Sequence, residues 1–311
     1  MFGLNKIIPV DSDYKFLNFR KNFYIASGIA IFLSLLLLFF KGLNLGIDFK
    51  GGTLIEVSTN NSSIGELRDI LSPNFNEVSL QEFGDDQTII IRLQNENNQE
   101  SIETVNKVKQ LINDKVSEFR RSEFVGPTVS SELLWKGFQA VSFALIAILI
   151  YIWLRFEWQF GFGAVVALTH DVLFTLGVLS ILNVEFSLST IAAVLTIAGY
   201  SINDTVVVFD RVRENLRKYK TLSLVELLNN SINETLSRTV MTSITTLIAL
   251  MSLYLLGGEV IRGFSFAMIW GVLIGTYSSI CLAVPLLVYL NINRGVAAGS
   301  NKDGGRNVKG V

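Results

Sequence analysis

The sequence predicts a polytopic α-helical membrane protein with one α+β domain inserted between its first and second membrane helices. Three observations carry this. Half of the 311 residues are apolar, only 17% are charged, and mean hydropathy is +0.45, a composition of membrane proteins rather than soluble domains. Six apolar segments of membrane-crossing length recur along the chain. One long hydrophilic stretch, residues 41–133, separates the first segment from the other five.

Residues 1–22 are mostly polar and carry Lys6, Lys15, Arg20 and Lys21. Residues 23–40 form an apolar run that spans about 27 Å as a helix. Its late start and the lack of a small-residue cleavage site behind it argue against a cleaved signal peptide. Apolar segments return at 134–154, 160–182, 186–209, 239–256 and 264–290. The expected division is a terminal segment 1–22, helix one at 23–40, the hydrophilic domain at 41–133, helices two to six within 134–290, and a flexible Gly-, Asn- and Lys-rich tail at 291–311.

Orientation follows from Lys and Arg in the short loops. Arg155 lies between segments two and three. Arg211, Arg213, Arg217, Lys218 and Lys220 lie between four and five, with Arg238 at the edge. The opposite loops carry only Arg262. Both termini are expected on the cytoplasmic side and the hydrophilic domain outside. The net charge of −1 gives no reason to expect a nucleic-acid partner. The single cysteine, Cys281, lies in an apolar segment, so no disulfide framework or Cys/His metal spacing is expected.

The hydrophilic domain holds nine Lys/Arg against fifteen Asp/Glu. Residues 53–58 alternate as a strand. Ile64, Leu67, Ile70 and Leu71 mark a helix. Residues 77–82 and 88–93 read as strands flanking the turn signal Gly84-Asp85-Asp86. Ile102, Val105, Val108, Leu111 and Ile112 mark a second helix, and residues 118–125 a last strand closed by Gly126-Pro127. This βαββαβ order is that of the ferredoxin-like motif. The domain has neither His nor Cys, so a mechanical or binding role is expected.

The chemistry sits in the membrane segments. Segment four is rich in small and hydroxyl residues, which let helices approach closely, so it is expected at the centre. It carries Asp204, with Thr196, Tyr200 and Asn203 expected on the same face. An ionisable group at that depth costs about 2.5–3.5 kcal/mol unless it faces protein or water. Asp204 reads either as a proton carrier or as a helix-end carboxylate reaching for water. Segment five opens with Arg238, and Thr242, Thr245 and Thr246 share its face. Arg238 reads either as the partner of a buried carboxylate or as a snorkelling anchor. Approach of Arg238 would favour the charged form of Asp204, and separation would favour proton uptake. His170 and Asp171 on segment three form either a packing hydrogen bond or a secondary relay. Asn203 and Thr242 are further relay candidates. Residues 210–215 read as a solvated helix end.

Gly46-Ile47-Asp48-Phe49-Lys50-Gly51-Gly52 joins segment one to the hydrophilic domain. Gly46, Gly51 and Gly52 permit either a hinge or a strand-entry turn, and Asp48 lies between them. No nucleophile–base set, metal spacing or phosphate loop occurs, so enzymatic activity is not expected.

The junction motif, Val125-Gly126-Pro127-Thr128-Val129-Ser130, Thr169-His170-Asp171, residues 199–215 and Leu236-Ser237-Arg238-Thr239 occur in one order over nearly the whole chain. Together they resemble the SecF family of the SecD/SecF protein-export membrane subunits, in the resistance-nodulation-division superfamily. The resemblance implies six membrane helices, a periplasmic ferredoxin-like domain and residence in the bacterial inner membrane. It implies SecD as a pseudo-symmetric partner, and SecYEG, YidC, emerging preprotein and lipid as further contacts. It implies late-stage export driven by the proton gradient with no cofactor, with Asp204 and Arg238 as the proton-coupling pair. Alternatives are a proton-driven exporter of small molecules or lipids, and a passive scaffold.

Overall fold

The computed structural model describes residues 12–59, 62–75, 78–83, 85–93, 101–257, 259–290 and 292. The predicted tail therefore lies almost wholly outside the described residues, as do Lys6, Glu77 and Gly84.

Among the described residues, six helices are long and apolar enough to cross a membrane. They are α1 (Arg20–Phe40), α5 (Pro127–Arg155), α6 (Trp158–Ile181), α7 (Leu188–Lys218), α8 (Leu224–Leu256) and α9 (Glu259–Ser278), the last continued by Ser279–Ala283 and α10 (Val284–Leu286). Burial separates them: 50% of the apolar window of α6 and of α7 and 67% of that of the last span are covered within the chain, against 11% for α1 and α5. Small residues explain the difference. The buried face of α7 includes Ala193, Ala198 and Ser201, whereas α1 and α5 expose Phe32, Leu33, Phe39, Trp135 and Phe143.

Between α1 and α5 lie β1 (Asn44–Leu45), α2 (Ile47–Lys50), β2 (Gly52–Thr59), α3 (Ile64–Leu71), β3 (Val78–Phe83), β4 (Asp85–Leu93), α4 (Ser101–Ile112) and β5 (Val116–Val125). The strands β2 to β5 form one antiparallel sheet in the order β3-β4-β2-β5. Alternation places Ile55, Val57, Ile89 and Ile91 on the face that receives Leu67, Leu71, Val108 and Ile112 from the two helices. Ser63 caps α3 by accepting from the backbone N–H of Glu66 at 3.3 Å. The other sheet face, with Leu54, Glu56 and Ile90, borders a cavity of about 530 Å³ whose far wall includes Leu182, Val184 and Phe266 of the membrane helices.

Three boundaries differ from the sequence reading. The connection after β5 is already helix: Pro127 occupies the first turn of α5, where its missing N–H costs nothing. Helix α8 starts at Leu224, well before the apolar segment, because Ser223 caps it and Leu227, Leu228 and Ile232 form a buried stripe. Residues 210–215 are not merely a solvated end. Val212 and Leu216 pack on that stripe, and Asn215 donates to Ser231 at 3.0 Å and Glu234 at 2.8 Å. The N-terminal turn Phe16–Phe19 closes this end, with the backbone N–H of buried Leu17 donating to Asn229 at 3.1 Å.

At the sheet end of the bundle, β1 pairs in parallel with β6 (Glu185–Phe186), which precedes α7.

Candidate functional site

Two carboxylates lie inside the bundle on neighbouring helices. Asp171 of α6 is 0% exposed and Asp204 of α7 is 3% exposed. Both face the last membrane helix, which approaches α7 through Gly271 and Gly275. A Cβ on Gly275 would stand 3.1 Å from that of Ser201, and one on Gly271 would overlap Ile197. This small-xxx-small spacing lets the backbones close, and it carries the hydroxyls of both helices onto the carboxylates.

Asp171 is fully partnered. Its Oδ2 accepts from the hydroxyls of Ser201 on α7 and Ser278 on α9, each at 2.6 Å. Its Oδ1 lies 3.0 Å from Nδ1 of His170. The His170 ring rests against Phe174 and Tyr277, and its buried Nε2 has no hydrogen-bond partner among the described residues. One carboxyl thus joins three helices.

Asp204 is different. Its Oδ2 is buried and has no hydrogen-bond partner among the described residues. Thr276 is the hydroxyl beside it, and Arg238 is the cation whose field reaches it. Thr276 is itself occupied, donating to the carbonyl of Val272 at 2.9 Å and sharing a 2.7 Å bond with Ser243 of α8. One residue past Asp204, the Thr205 hydroxyl meets that of Ser279 at 2.8 Å.

Ser279 opens a π-helical turn, Ser279–Ala283. Pro285 follows it and offers no N–H to the carbonyl four residues back, so the helix widens there. The wide turn lies where α9 meets Thr205 of α7.

The structure brings Asp204, His170 and Asp171 into the bundle and leaves other predicted residues outside it. Asn203 and Thr196 are exposed, so they do not share the face of Asp204. Successive helical residues point about 100° apart, and the inward face of α7 is Ser201, Asp204, Thr205 and Val208. Arg238, Thr242 and Thr245 do share one face of α8, and it is exposed on this chain. Thr242 donates to the carbonyl of Thr239 at 2.8 Å, and Thr245 bonds back to Met241 and Thr242.

The junction residues gather at the other end of α7, about 24 Å from Asp204 along the axis. Asp48 accepts from the backbone N–H of Leu188, the first residue of α7, at 2.9 Å. Gly51 and Gly52 have φ of 73° and 113°, which only glycine adopts without strain. A Cβ on Gly46 would stand 2.6 Å from the Glu185 carboxylate.

Ser201, Thr205, Ser278 and Ser279 were not singled out from the sequence as site residues. A signal was present in Thr276-Tyr277-Ser278-Ser279, four hydroxyl groups in an apolar segment behind Gly271 and Gly275.

Residues 104–293 match the family described as "Protein export membrane protein SecD/SecF, C-terminal", and residues 36–62 match the "SecD/SecF GG Motif". The chain is 43% identical over 294 residues to the protein translocase subunit SecF of Rickettsia rickettsii, covering 93% of this chain and 95% of that one. It is 45% identical over 307 residues to that of Rhodobacter capsulatus, covering 93% and 92%. Among solved structures it resembles SecDF from Thermus thermophilus, a translocon-associated membrane protein, with a TM-score of 0.84 and 38% identity over 91% of this chain. SecDF in a Super-membrane-facing form gives a TM-score of 0.68 and 36% identity over 90% of the chain. The chain spans 39% of the length of each of these SecDF chains.

Proposed function

Because the chain belongs to the SecD/SecF family of protein-export membrane proteins, we propose that it is the SecF-type accessory subunit of the Sec protein translocase. It pairs with SecD and uses the proton-motive force to promote late export of preproteins through SecYEG, with YidC nearby. Asp204 takes up and releases the proton, and Arg238 tunes it. The observation that carries this is the buried Asp204 oxygen with no hydrogen-bond partner among the described residues. A carboxyl left in that condition inside a bilayer is costly unless it has work to do. His170 and Asp171 form a secondary network beside it, while Asn203 and Thr242 lie on the exposed faces of α7 and α8. No cofactor is needed, since the gradient supplies the energy.

Pairing with SecD is supported by what this chain leaves bare. Thr196 and Asn203 on α7, and Arg238, Thr242 and Thr245 on α8, are exposed on segments of membrane-crossing length. Polar groups there are stable when another helix or a hydrated path covers them. We place SecD's pseudo-symmetric helices on this face.

The inserted domain is read as ferredoxin-like and periplasmic. Its order βαββαβ and its sheet order β3-β4-β2-β5 support the first, and the Lys/Arg bias of the loops supports the second. Its acidic excess and its seat above the membrane helices suit contact with emerging preprotein. The two SecDF structures match this chain at TM-scores of 0.84 and 0.68 over nearly equal coverage, so they differ from each other in shape. That supports a moving domain. The cytoplasmic side would hold residues 1–22 and 291–311, and Gly46, Asp48, Gly51 and Gly52 would carry motion between membrane and domain.

The test is reconstitution with SecD in vesicles under an imposed proton gradient. Asp204→Asn should assemble with SecD, lose proton flux and lose gradient-stimulated export. Unimpaired flux and export in that variant would remove Asp204 from the mechanism. Normal preprotein export with loss of drug or lipid efflux would replace the reading with that of a small-molecule or lipid exporter.

A further inference from the structure

The junction between α1 and the sheet domain is more than a flexible link. Asp48 sits on α2, in the glycine-framed turn leading into β2. Its Oδ2 accepts the backbone N–H of Leu188 at 2.9 Å, one of the orphan donors at a helix start. A carboxylate there also faces the positive end of the helix dipole. The helix it caps is α7, the one that carries Asp204.

Three further contacts tie the junction and the sheet to β6, the short strand just before α7. The backbone N–H of Gly46 donates to the carbonyl of Phe186 at 2.9 Å, extending the β1–β6 pairing. The rings of Phe49 and Phe186 stand 5.9 Å apart. From the sheet itself, Arg92 on β4 forms an ion pair with Glu185 on β6. The Arg92 and Glu185 side chains are only 14% and 27% exposed, so solvent screens this pair less than a surface one. Gly46 has no room for a side chain against Glu185.

We infer that Asp48 is a positioning residue that couples the proton step to the domain: it fastens the N-terminus of α7 to the turn from which β2 begins, with Arg92–Glu185 as a second fastening. A helix is stiff along its axis, because each residue is bonded to the one four along. A shift or rotation of α7 set off near Asp204 therefore reaches Leu188 with little loss. The clasp passes it to β2 and β4, the two central strands of the sheet. Gly51 and Gly52, in conformations other residues resist, fix the angle at which β2 leaves the clasp. The turn acts as a tie with a set angle, where the sequence left a choice between hinge and strand-entry turn.

This inference rests on the proposed proton role of α7, and the experiment separates the two. The full chain is reconstituted with SecD in vesicles. Proton flux, export stimulated by the gradient, and the distance from a spin label at exposed Glu118 to one at exposed Leu154 are measured with and without the gradient. In Asp48→Ala the gradient-dependent change in that distance should vanish. Export stimulation should fall about fivefold, the equilibrium equivalent of losing one cap of about 1 kcal/mol. Proton flux should persist. Asp48→Asn, which keeps an acceptor oxygen, should restore the distance change. Arg92→Glu should weaken it, and adding Glu185→Arg should recover it, which covers the case in which Asp48→Ala does not assemble. An unchanged distance response in Asp48→Ala together with Arg92→Glu would overturn the coupling. Loss of proton flux in Asp48→Ala would also overturn it, by placing Asp48 in the proton step. Failure of the proton reading would appear elsewhere, as normal flux in Asp204→Asn.

Discussion

Asp171 and Asp204 lie on adjacent helices and both are sealed within the chain, yet their surroundings differ in kind. Asp171 has a partner for each oxygen, drawn from α6, α7 and α9. Asp204 has a buried oxygen with none among the described residues. A satisfied buried carboxyl acts as a rivet, because removing it strands three donors at once. An unsatisfied one is poised to exchange a proton. Burial is common to both; the count of partners sets them apart, and the proposed proton role of Asp204 rests on that difference.

The largest expected effect sharpens this contrast. Asp204→Asn should reduce proton flux of the SecD-paired protein by about a hundredfold, the scale of losing a positioned proton-transfer group. Its melting temperature should move by only about 2 °C, since few interactions are lost. Equal destabilisation of Asp204→Asn and Asp171→Ala would break the comparison.

Next in size is Asp171→Ala, which leaves Ser201, Ser278 and His170 without their acceptor. Thermal or denaturant unfolding in detergent should show a loss of about 3 kcal/mol, and Asp171→Asn a smaller one. If Asp171→Ala kept full stability while losing flux, Asp171 would be the carrier and Asp204 its support.

Gly275→Val tests whether the close approach of α9 positions both sites. The added side chain must displace Ser201, so a cost of about 2 kcal/mol is expected. Part of that cost should disappear in a Ser201→Ala background, where the Asp171 bond is already absent. A fully additive result would show that α9 and the Asp171 network are independent.

The smallest effects come from single hydroxyls. Ser278→Ala should cost about 0.6 kcal/mol, the average for a hydrogen bond between membrane helices. Thr205→Val should cost about as much in stability, yet reduce flux more, because Thr205 adjoins Asp204 and meets the π turn at Ser279. A larger loss of flux from Ser278→Ala would reverse the roles of the two carboxylates.

Much of the architecture was legible in the sequence. Period-two alternation in β2, the turn signal Gly84-Asp85-Asp86 beside β3 and β4, and helical spacing in α3 and α4 named the elements of the domain. Runs of apolar residues named six helices. The ends were less legible. Helix α8 begins at Leu224, in a region of mixed charge, because its apolar stripe faces α7 rather than lipid. At the site, Asp204, Asp171 and His170 stood out as ionisable groups in apolar surroundings. Asn203 faces away from Asp204, because neighbours in sequence on a helix point about 100° apart.

The residue types and their periods determined by themselves that six segments are long and apolar enough to cross a membrane, that an α+β stretch interrupts them after the first, and that a few charged groups lie within those segments. Those properties depend on local spacing and transfer energy, which a linear text records. Only the tertiary structure decided which carboxyl is satisfied. Ser201 and Ser278 reach Asp171 from positions 30 and 107 residues away, and they do so because Gly271 and Gly275 let two helices close. Asp48 likewise meets Leu188 across 140 residues. Hydrogen bonds act over about 3 Å, so their partners are set by how helices pack, which no period in the sequence encodes.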